Sequence, residues 1–199
     1  MRDYGFAIAI KKGVYYLTGP VYEKRVYRIY TIDLSSFAER KFNESQFAFT
    51  LISEHDTEVI TRIEHLEEWL TGQVAAKLRK GGLCLVAMDR DRVAGFNLVA
   101  FDYVYIPLIA MNKRLRRDEA WSEQITVNPD YRGKGLAEVL RYRVFSELKR
   151  RDIRQFSGGT LTNNVANLKL TRKVGFTELV DVHYSKLLGV KTRRYVRVR

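Results

Sequence analysis

The residues with the clearest potential for chemistry form a short basic turn with two glycines, Arg132-Gly133-Lys134-Gly135-Leu136-Ala137. An apolar-alternating run ends just before it at Val127, and a helical pattern follows it. The first amides of a helix lack intrahelical acceptors and lie at the positive end of the helix dipole. The glycines remove side chains where ligand oxygens must approach the backbone, and the basic residues add donors. The turn therefore predicts an anion site, most simply for a phosphate or pyrophosphate.

The spacing of these glycines matches neither the dinucleotide fingerprint G-x-G-x-x-G nor the P-loop G-x-x-x-x-G-K-[ST]. Taken alone, the turn is therefore also compatible with a surface loop whose basic side chains are solvated.

The turn lies between a predicted strand and a predicted helix, and a second predicted helix follows later in the chain. The strand covers 119–127, and the helix after the turn runs to about residue 151 with a buried stripe at Leu136, Leu140, Val144 and Leu148. A short strand at 154–157 and a loop at 157–159 follow. A second helix then runs from Asn163 or Asn164 to Val174, where Gly175 ends it.

The rest of the chain alternates short strands with one helical region. Strands are predicted at 5–10, 14–17, 25–33, 47–53, 83–88, 93–104, 176–187 and 194–199. Residues 57–80 have helical spacing with a break near Gly72. Residues 34–46 are predicted to form a loop or a short helix, and residues 105–118 a loop. No repeat or linker divides the chain, so we predict one domain over 1–199.

Composition narrows the class of protein. The 199 residues are 46% hydrophobic with a net charge of +12, a globular composition that suits nucleic acid, a membrane surface, an acidic protein or an anionic cofactor as partner. No apolar run approaches membrane-spanning length and no secretory signal is apparent, so we expect a cytoplasmic protein without membrane association. The single Cys84 excludes an intramolecular disulfide, and the isolated His55 and His65 do not indicate a metal site.

Two motifs in order resemble the GCN5-related N-acetyltransferase (GNAT) superfamily. Residues 132–137 match its R/Q-x-x-G-x-G/A signature, and about 30 residues later residues 164–176 resemble its second motif, an Asn-opened helix ending in Lys-x-Gly-Phe. The resemblance is clear over 119–177 and looser from residue 47 onward. It implies a mixed α/β fold with a mostly antiparallel, splayed sheet flanked by helices. Residues 1–46 match no part of the family, so we predict a β-rich N-terminal addition to a core at 47–199.

The resemblance also implies acetyl (acyl) transfer from acetyl-coenzyme A (acyl-CoA), used as a cosubstrate, to an amine acceptor by direct attack on the thioester. In the family, backbone amides of the glycine turn bind the cofactor pyrophosphate. Those amides correspond here to Arg132, Gly133, Lys134, Gly135, Leu136 and Ala137. The backbone of Ile125 and Val127 corresponds to the strand that pairs with pantetheine, and Asn164 corresponds to an Asn near the pantetheine end.

The predicted general acid departs from the family pattern. Many members place a Tyr after the Leu of the second motif, where it protonates the departing thiolate, but here Thr171 follows Leu170. Thr171 acts through water, another group such as Tyr184 or Tyr142 replaces it, or the thiolate leaves without a general acid.

A base is needed because a protonated amine must lose a proton before it attacks the thioester. Glu123 is the first candidate, followed by Glu119 and Asp102, and the amide of Val127 is a candidate oxyanion donor. Strict alternation puts Trp121, Glu123, Ile125 and Val127 on one strand face, with Ser122, Gln124 and Thr126 on the other.

The acceptor is the least determined part of the prediction. Arg114, Arg116 and Arg117 precede the 119–127 strand and favour an anionic small-molecule amine or an acidic carrier protein. The alternative is a catalytically inactive module that binds nucleic acid or an acidic protein through its basic surface. The alternating tail 191–199 suits an edge strand better than a nucleic-acid-binding arm. We therefore expect no nucleic-acid partner; a homodimer is compatible with the sequence.

Overall fold

The computed structural model describes residues 22–40, 42 and 46–198 and shows a large sheet flanked by helices. Its eight strands have the order β10-β9-β1-β8-β7-β4-β3-β2, and β5 and β6 form a separate hairpin. The strands are β1 (Tyr22–Asp33), β2 (Ala48–Ile52), β3 (Leu83–Asp89), β4 (Arg92–Ala100), β5 (Tyr103–Ile106), β6 (Met111–Arg114), β7 (Glu119–Val127), β8 (Gln155–Leu161), β9 (Thr177–Leu187) and β10 (Val190–Arg197). The helices are α1 (Thr57–Leu66), α2 (Val74–Arg79), α3 (Leu136–Arg150) and α4 (Val165–Lys173).

The sheet is antiparallel at every junction except that of β7 with β8, which run parallel. Parallel neighbours need a crossover, and α3 supplies it. The predicted stripe on α3 is confirmed, since Leu136, Leu140, Val144 and Leu148 are all buried. They pack with β3, β4 and β8 in one apolar cluster. The predicted mixed, mostly antiparallel fold is therefore confirmed.

The N-terminal strand β1 is an interior strand of the main sheet. It pairs with β8 on one side and β9 on the other, from Tyr27↔Leu161 to Asp33↔Gln155 and from Tyr22↔Leu187 to Thr31↔Thr177. The predicted strand at 25–33 is thus confirmed, but it lies within the core and not in an addition to it. The strands predicted at 5–10 and 14–17 lie outside the described residues.

The pair Gly158-Gly159, predicted to lie in a loop, is part of strand β8. A Cβ on Gly158 would lie 2.9 Å from the ring of Tyr30, and one on Gly159 would lie 2.2 Å from the ring of Tyr27. The glycines are therefore required by tyrosines that cross them from β1. Sequence reasoning interpreted them as a turn because it had no information on which strand lies beside β8.

The remaining differences from the predicted elements are local. The helical region 57–80 is broken as expected into α1 and α2, and Gly72 has a φ of +73° between them. The strand predicted at 93–104 divides at Asp102, whose φ is +64°, into β4 and β5. The predicted loop at 105–118 contains β6. The tail forms β10, which pairs with β9 and is exposed along its length, as expected for a strand at the edge of the described sheet. Over the described residues, none of the helices combines the length and apolar character of a membrane span.

Gly159→Ala tests the contact between β1 and β8. The added methyl group overlaps the Tyr27 ring, so the ring or the strand has to move, and we expect a loss of about 1–3 kcal/mol of unfolding free energy. Urea unfolding of the two proteins measures this loss.

The matched control is the same substitution in a Tyr27→Ala background, where no ring opposes the methyl group. There Gly159→Ala should cost less than about 0.5 kcal/mol beyond the background. An equal cost in both backgrounds would show that the glycine is required for another reason.

Candidate functional site

Strands β7 and β8 separate part-way along their length, and the separation creates a cavity. Their last paired residues are Ser122 and Gly158, although β7 continues to Val127 and β8 to Leu161. Beyond Ser122, β7 keeps β4 as its neighbour on one side only. The cavity at this opening has a volume of about 750 Å³, within the range of small-molecule sites. Unpaired backbone groups of β7 therefore face a space that an extended ligand can occupy.

A β-bulge at Glu123 marks the point of separation. Leu98 pairs with Gln124 and Val99 pairs with Ser122, so Glu123 is the extra residue. The bulge reverses the side-chain alternation beyond it. Ser122 contacts Arg141 of α3, whereas Gln124 contacts Glu67 just after α1, on the other face of the sheet. The predicted grouping of Trp121 with Ile125 and Val127, and of Ser122 with Gln124 and Thr126, is therefore wrong, because strict alternation does not anticipate a bulge.

Glu123 lies in the cavity wall in an ion pair with Lys77 of α2. Lys77 Nζ is 2.8 Å from Glu123 Oε1, and the carboxylate side chain is only 10% exposed. The other oxygen, Oε2, has no protein hydrogen bond among the residues that the structure describes. A carboxylate anchored through one oxygen can accept a proton or a hydrogen bond through the other.

The glycine turn has the geometry of an anion site. Gly133 and Gly135 have φ values of +79° and +78°, and no atom lies within 4 Å of where either Cβ would be. Gly135 is the N-cap of α3, so the first amides of that 15-residue helix point out of its end. Positive φ explains both glycines, and the open surroundings leave room for a ligand.

Two of the predicted contacts at this turn are modified by local hydrogen bonds. The amide of Arg132 donates to the Pro129 carbonyl at 3.2 Å, so the free amides begin at Gly133. The Arg132 side chain donates through Nε to the Val127 carbonyl at 3.2 Å and braces the turn against β7. Lys134 is exposed, with Nζ above the ring of Tyr131. Leu136 anchors the turn in the core, and Ala137 follows it in the first turn of α3.

Asn164 lies at the cavity rim as the N-cap of α4. Its Oδ1 accepts a hydrogen bond from the Asn167 amide at 3.1 Å, and Nδ2 can donate to a ligand. Of the β7 pair predicted to contact pantetheine, Ile125 lines the cavity and Val127 lies beyond it, toward the glycine turn. The structure thus places β7 up to Ile125 and the start of α4 around one cavity, whereas the glycine turn follows the end of β7, outside the lining of that cavity.

A buried polar network lies at the closed end of the opening, and sequence reasoning missed it. Arg141 of α3 is fully buried and donates through one terminal nitrogen to Ser122 Oγ at 2.6 Å and Asn97 Oδ1 at 3.2 Å. It also hydrogen-bonds the hydroxyl of Tyr30, which in turn lies 3.5 Å from Asn167 Oδ1. Burial lowers the pKa of Arg141 and raises that of Tyr30, and each group opposes the shift of the other. In the sequence, Arg141 falls among the otherwise apolar, buried positions of α3, and a charged residue at such a position could have indicated the buried network.

The predicted general acids lie away from the cavity, and these predictions are corrected. Thr171 is fully buried in α4, and its hydroxyl donates to the Leu168 carbonyl at 2.9 Å. Tyr184 is 4% exposed in an apolar cluster beneath the β5–β6 hairpin. Tyr142 is buried among Phe37, Phe42 and Phe145. None of these hydroxyls lines the cavity.

The secondary candidates for base and acceptor binding also lie elsewhere. Glu119 is buried outside the cavity, where Lys113 Nζ is 2.6 Å from its Oε1. Asp102 is in the exposed turn between β4 and β5. Arg114, Arg116 and Arg117 are exposed and do not line the cavity. The basic side chains that do line it, besides Arg141, are Lys77 and Lys80, from the α2 region.

Comparison with known families agrees with this geometry. A model of the acetyltransferase (GNAT) family matches residues 27–176, which include most of β1, the splayed strands, the glycine turn and α4. The chain belongs to the GNAT family. The match begins inside β1, in keeping with the place of that strand within the sheet. Among curated proteins, none matches this GNAT chain in sequence.

Many solved structures share the fold of this GNAT protein. A GCN5-related N-acetyltransferase from Sphaerobacter thermophilus has 16% identity and a TM-score of 0.60, over 94% of this chain and 58% of its own. A Drosophila protein has 13% identity and a TM-score of 0.58, over 94% and 59%. The aminoglycoside N-acetyltransferase AAC(6')-Iy, solved with CoA, has 19% identity and a TM-score of 0.52, over 66% and 92%. The chain thus spans less than two thirds of the first two of these proteins.

The part of the chain that the structure describes contains no group of three or more His, Cys, Asp or Glu side chains arranged to hold a metal ion.

Asn164→Ala tests the capping role of Asn164. Loss of the bond to the Asn167 amide should lower the unfolding free energy by about 1 kcal/mol, whereas Asn164→Asp keeps an acceptor and should lose less. Thermal unfolding measures both. Asn163→Ala, at the exposed residue just before the cap, is the control, and an equal loss there would contradict the capping role.

Proposed function

We propose that this GNAT protein is an N-acetyltransferase that binds acetyl-CoA in the opening between β7 and β8 and transfers the acetyl group to a small-molecule amine. The observation that carries the proposal is the combination of the strand separation with a positive-φ glycine turn at the N-terminus of α3. An extended thiol ester with a pyrophosphate at one end fits both features. The CoA complex of the structurally similar aminoglycoside N-acetyltransferase supports the choice of ligand.

The amides that would hold the pyrophosphate are those of Gly133 to Ala137, with Lys134 adding positive charge. The free edge of β7 at Ile125 and Val127 supplies backbone groups that pair with the amides of pantetheine. The opposite edge of β7 pairs with β4 in the same way. The thioester then lies near the bulge, where backbone amides released from the ladder can stabilise a developing oxyanion.

Glu123 is our proposed base. It lines the cavity at the bulge, and its Oε2 can take the proton of the incoming ammonium directly or through one water. Lys77 fixes the carboxylate through Oε1, which limits its motion at the cost of partly neutralising it. The amine then attacks the thioester carbonyl directly. The C–N bond forms first and places negative charge on the carbonyl oxygen, and the C–S bond breaks as the carbonyl is restored.

The charge of the cavity favours an acceptor with an anionic group. Among the described residues, Lys77, Lys80 and Arg141 oppose the carboxylate of Glu123, and the aromatic side chains of Trp69, Tyr103 and Tyr105 are about half exposed at the cavity. A polycationic acceptor would meet like charge at such a site. We therefore propose a small amine that also carries a phosphate or carboxylate.

Gly135→Glu tests the cofactor site. The substitution places an anion where the pyrophosphate should bind, so calorimetry should show micromolar binding of acetyl-CoA by the wild type and at least about tenfold weaker binding by the variant. Gly189→Glu is the matched control, because Gly189 also has positive φ (+84°) and open surroundings but lies in the β9–β10 turn. No binding by the folded wild-type protein would contradict the proposal.

Glu123→Gln tests the base. The amide cannot accept a proton, so we expect turnover about 10²-fold below wild type. The control is Glu119→Gln, which removes a lysine-paired carboxylate of the same strand outside the cavity.

The assay follows CoA release with phosphoethanolamine as probe acceptor and ethylenediamine as its cationic counterpart. Burial raises the pKa of Cys84 to about 12, so its thiol does not interfere with a thiol reagent. Equal losses in the two variants would contradict a special role for Glu123.

A further inference from the structure

The buried guanidinium of Arg141 has no anionic partner among the described residues. Its hydrogen-bond partners, Ser122, Asn97 and Tyr30, are all neutral, and its Nε is buried without any acceptor. Burial of an unpaired charge is costly, and an orphaned buried donor in a native structure requires an explanation. A negative charge that forms only during a reaction would supply the missing partner.

Tyr30 connects Arg141 to the point where the strands separate. Tyr30, Gly158 and Ser122 are paired across β1, β8 and β7, in the last row before the opening. Since Gly158 has no side chain, the Tyr30 ring crosses β8 on the α3 face of the sheet. Its hydroxyl meets Arg141 from α3 and Asn167 from α4, and both Tyr30 and Asn167 line the cavity.

We propose that Tyr30 donates the proton that the CoA thiolate takes up as it departs, and that Arg141 is a positioning residue that stabilises the resulting phenolate. This inference rests on the proposed function, because it assigns a further catalytic residue to the same site. It also gives the buried charge of Arg141 a partner at the step where one is needed.

The step balances without any further reactant. The amine nitrogen forms a bond to the carbonyl carbon, the C–S bond breaks, and the sulfur receives the Tyr30 proton, which gives free CoA. An ammonium acceptor loses two protons on its way to the amide, one before the attack and one after it. Glu123 and water pass one of them to the phenolate and release the other to solvent, so both side chains end the cycle in their starting states.

Three other candidate hydroxyls, those of Thr171, Tyr184 and Tyr27, lack this arrangement. Those of Thr171 and Tyr184 do not line the cavity. Tyr27 lines it and is also buried, but it packs on the opposite face of the sheet, in the cluster with Trp121. Burial raises its pKa, and no cation opposes that shift. Tyr27 is therefore a matched control for Tyr30.

The experiment is an absorbance titration of the thiol of CoA bound to the wild type, Tyr30→Phe and Tyr27→Phe, with S-methyl-CoA as the blank. A Tyr30 hydroxyl that faces the sulfur stabilises the thiolate. Its removal should raise the pKa of the bound thiol by about one unit, a tenfold smaller thiolate fraction at neutral pH. Tyr27→Phe should leave that pKa unchanged. The other charged groups at the cavity, Lys77, Lys80, Glu123 and Arg141, are the same in all three proteins.

Calorimetric binding of CoA to each protein distinguishes the outcomes. If CoA binds to all three and only Tyr30→Phe shifts the thiol pKa, the inference holds. If CoA binds but the pKa is the same in Tyr30→Phe and in the wild type, the inference is wrong while the proposed function stands. If the folded wild-type protein does not bind CoA, the proposed function itself fails and the inference fails with it.

Discussion

The separation of β7 from β8 is the constraint on which the rest of the structure depends. A sheet normally pairs both edges of an interior strand, yet beyond Ser122 the β8-facing edge of β7 has no neighbouring strand among the residues that the structure describes. The unpaired backbone groups need partners, which water or a ligand must supply. The glycine turn lies between the end of β7 and the start of α3, so it follows in the chain directly after the strand that carries the free edge.

The far side of the opening depends on β1. This strand pairs with β8 along seven residues, so β8 stays in the sheet even where it has left β7. The tyrosines that β1 contributes lie over Gly158 and Gly159, and they form part of the cavity wall. The segment that resembled no family motif thus supplies both an interior strand and the side chains of a proposed catalytic step.

The bulge at the point of separation also decides on which face of the sheet the charged side chains of the opening lie. The bulge places Glu123 opposite Lys77, on the α1–α2 face, while Ser122 remains with Arg141 on the α3 face. The opening therefore has an anchored carboxylate on one face and a buried cation on the other. The base and the acid that we propose, Glu123 and Tyr30, therefore lie on opposite faces of the sheet.

The sequence by itself determined the glycine turn, the helix stripe that holds it, the Asn cap of α4 and the family, because local spacing dictates each of these. It also offered Glu123 as a candidate base, and the structure places that residue in the cavity wall. Only the tertiary structure decided the place of β1, the strand character of Gly158 and Gly159, and the removal of Thr171 and Tyr184 from the site. Each of these depends on which strands are neighbours and where a bulge reverses alternation, and long-range pairing leaves no local pattern.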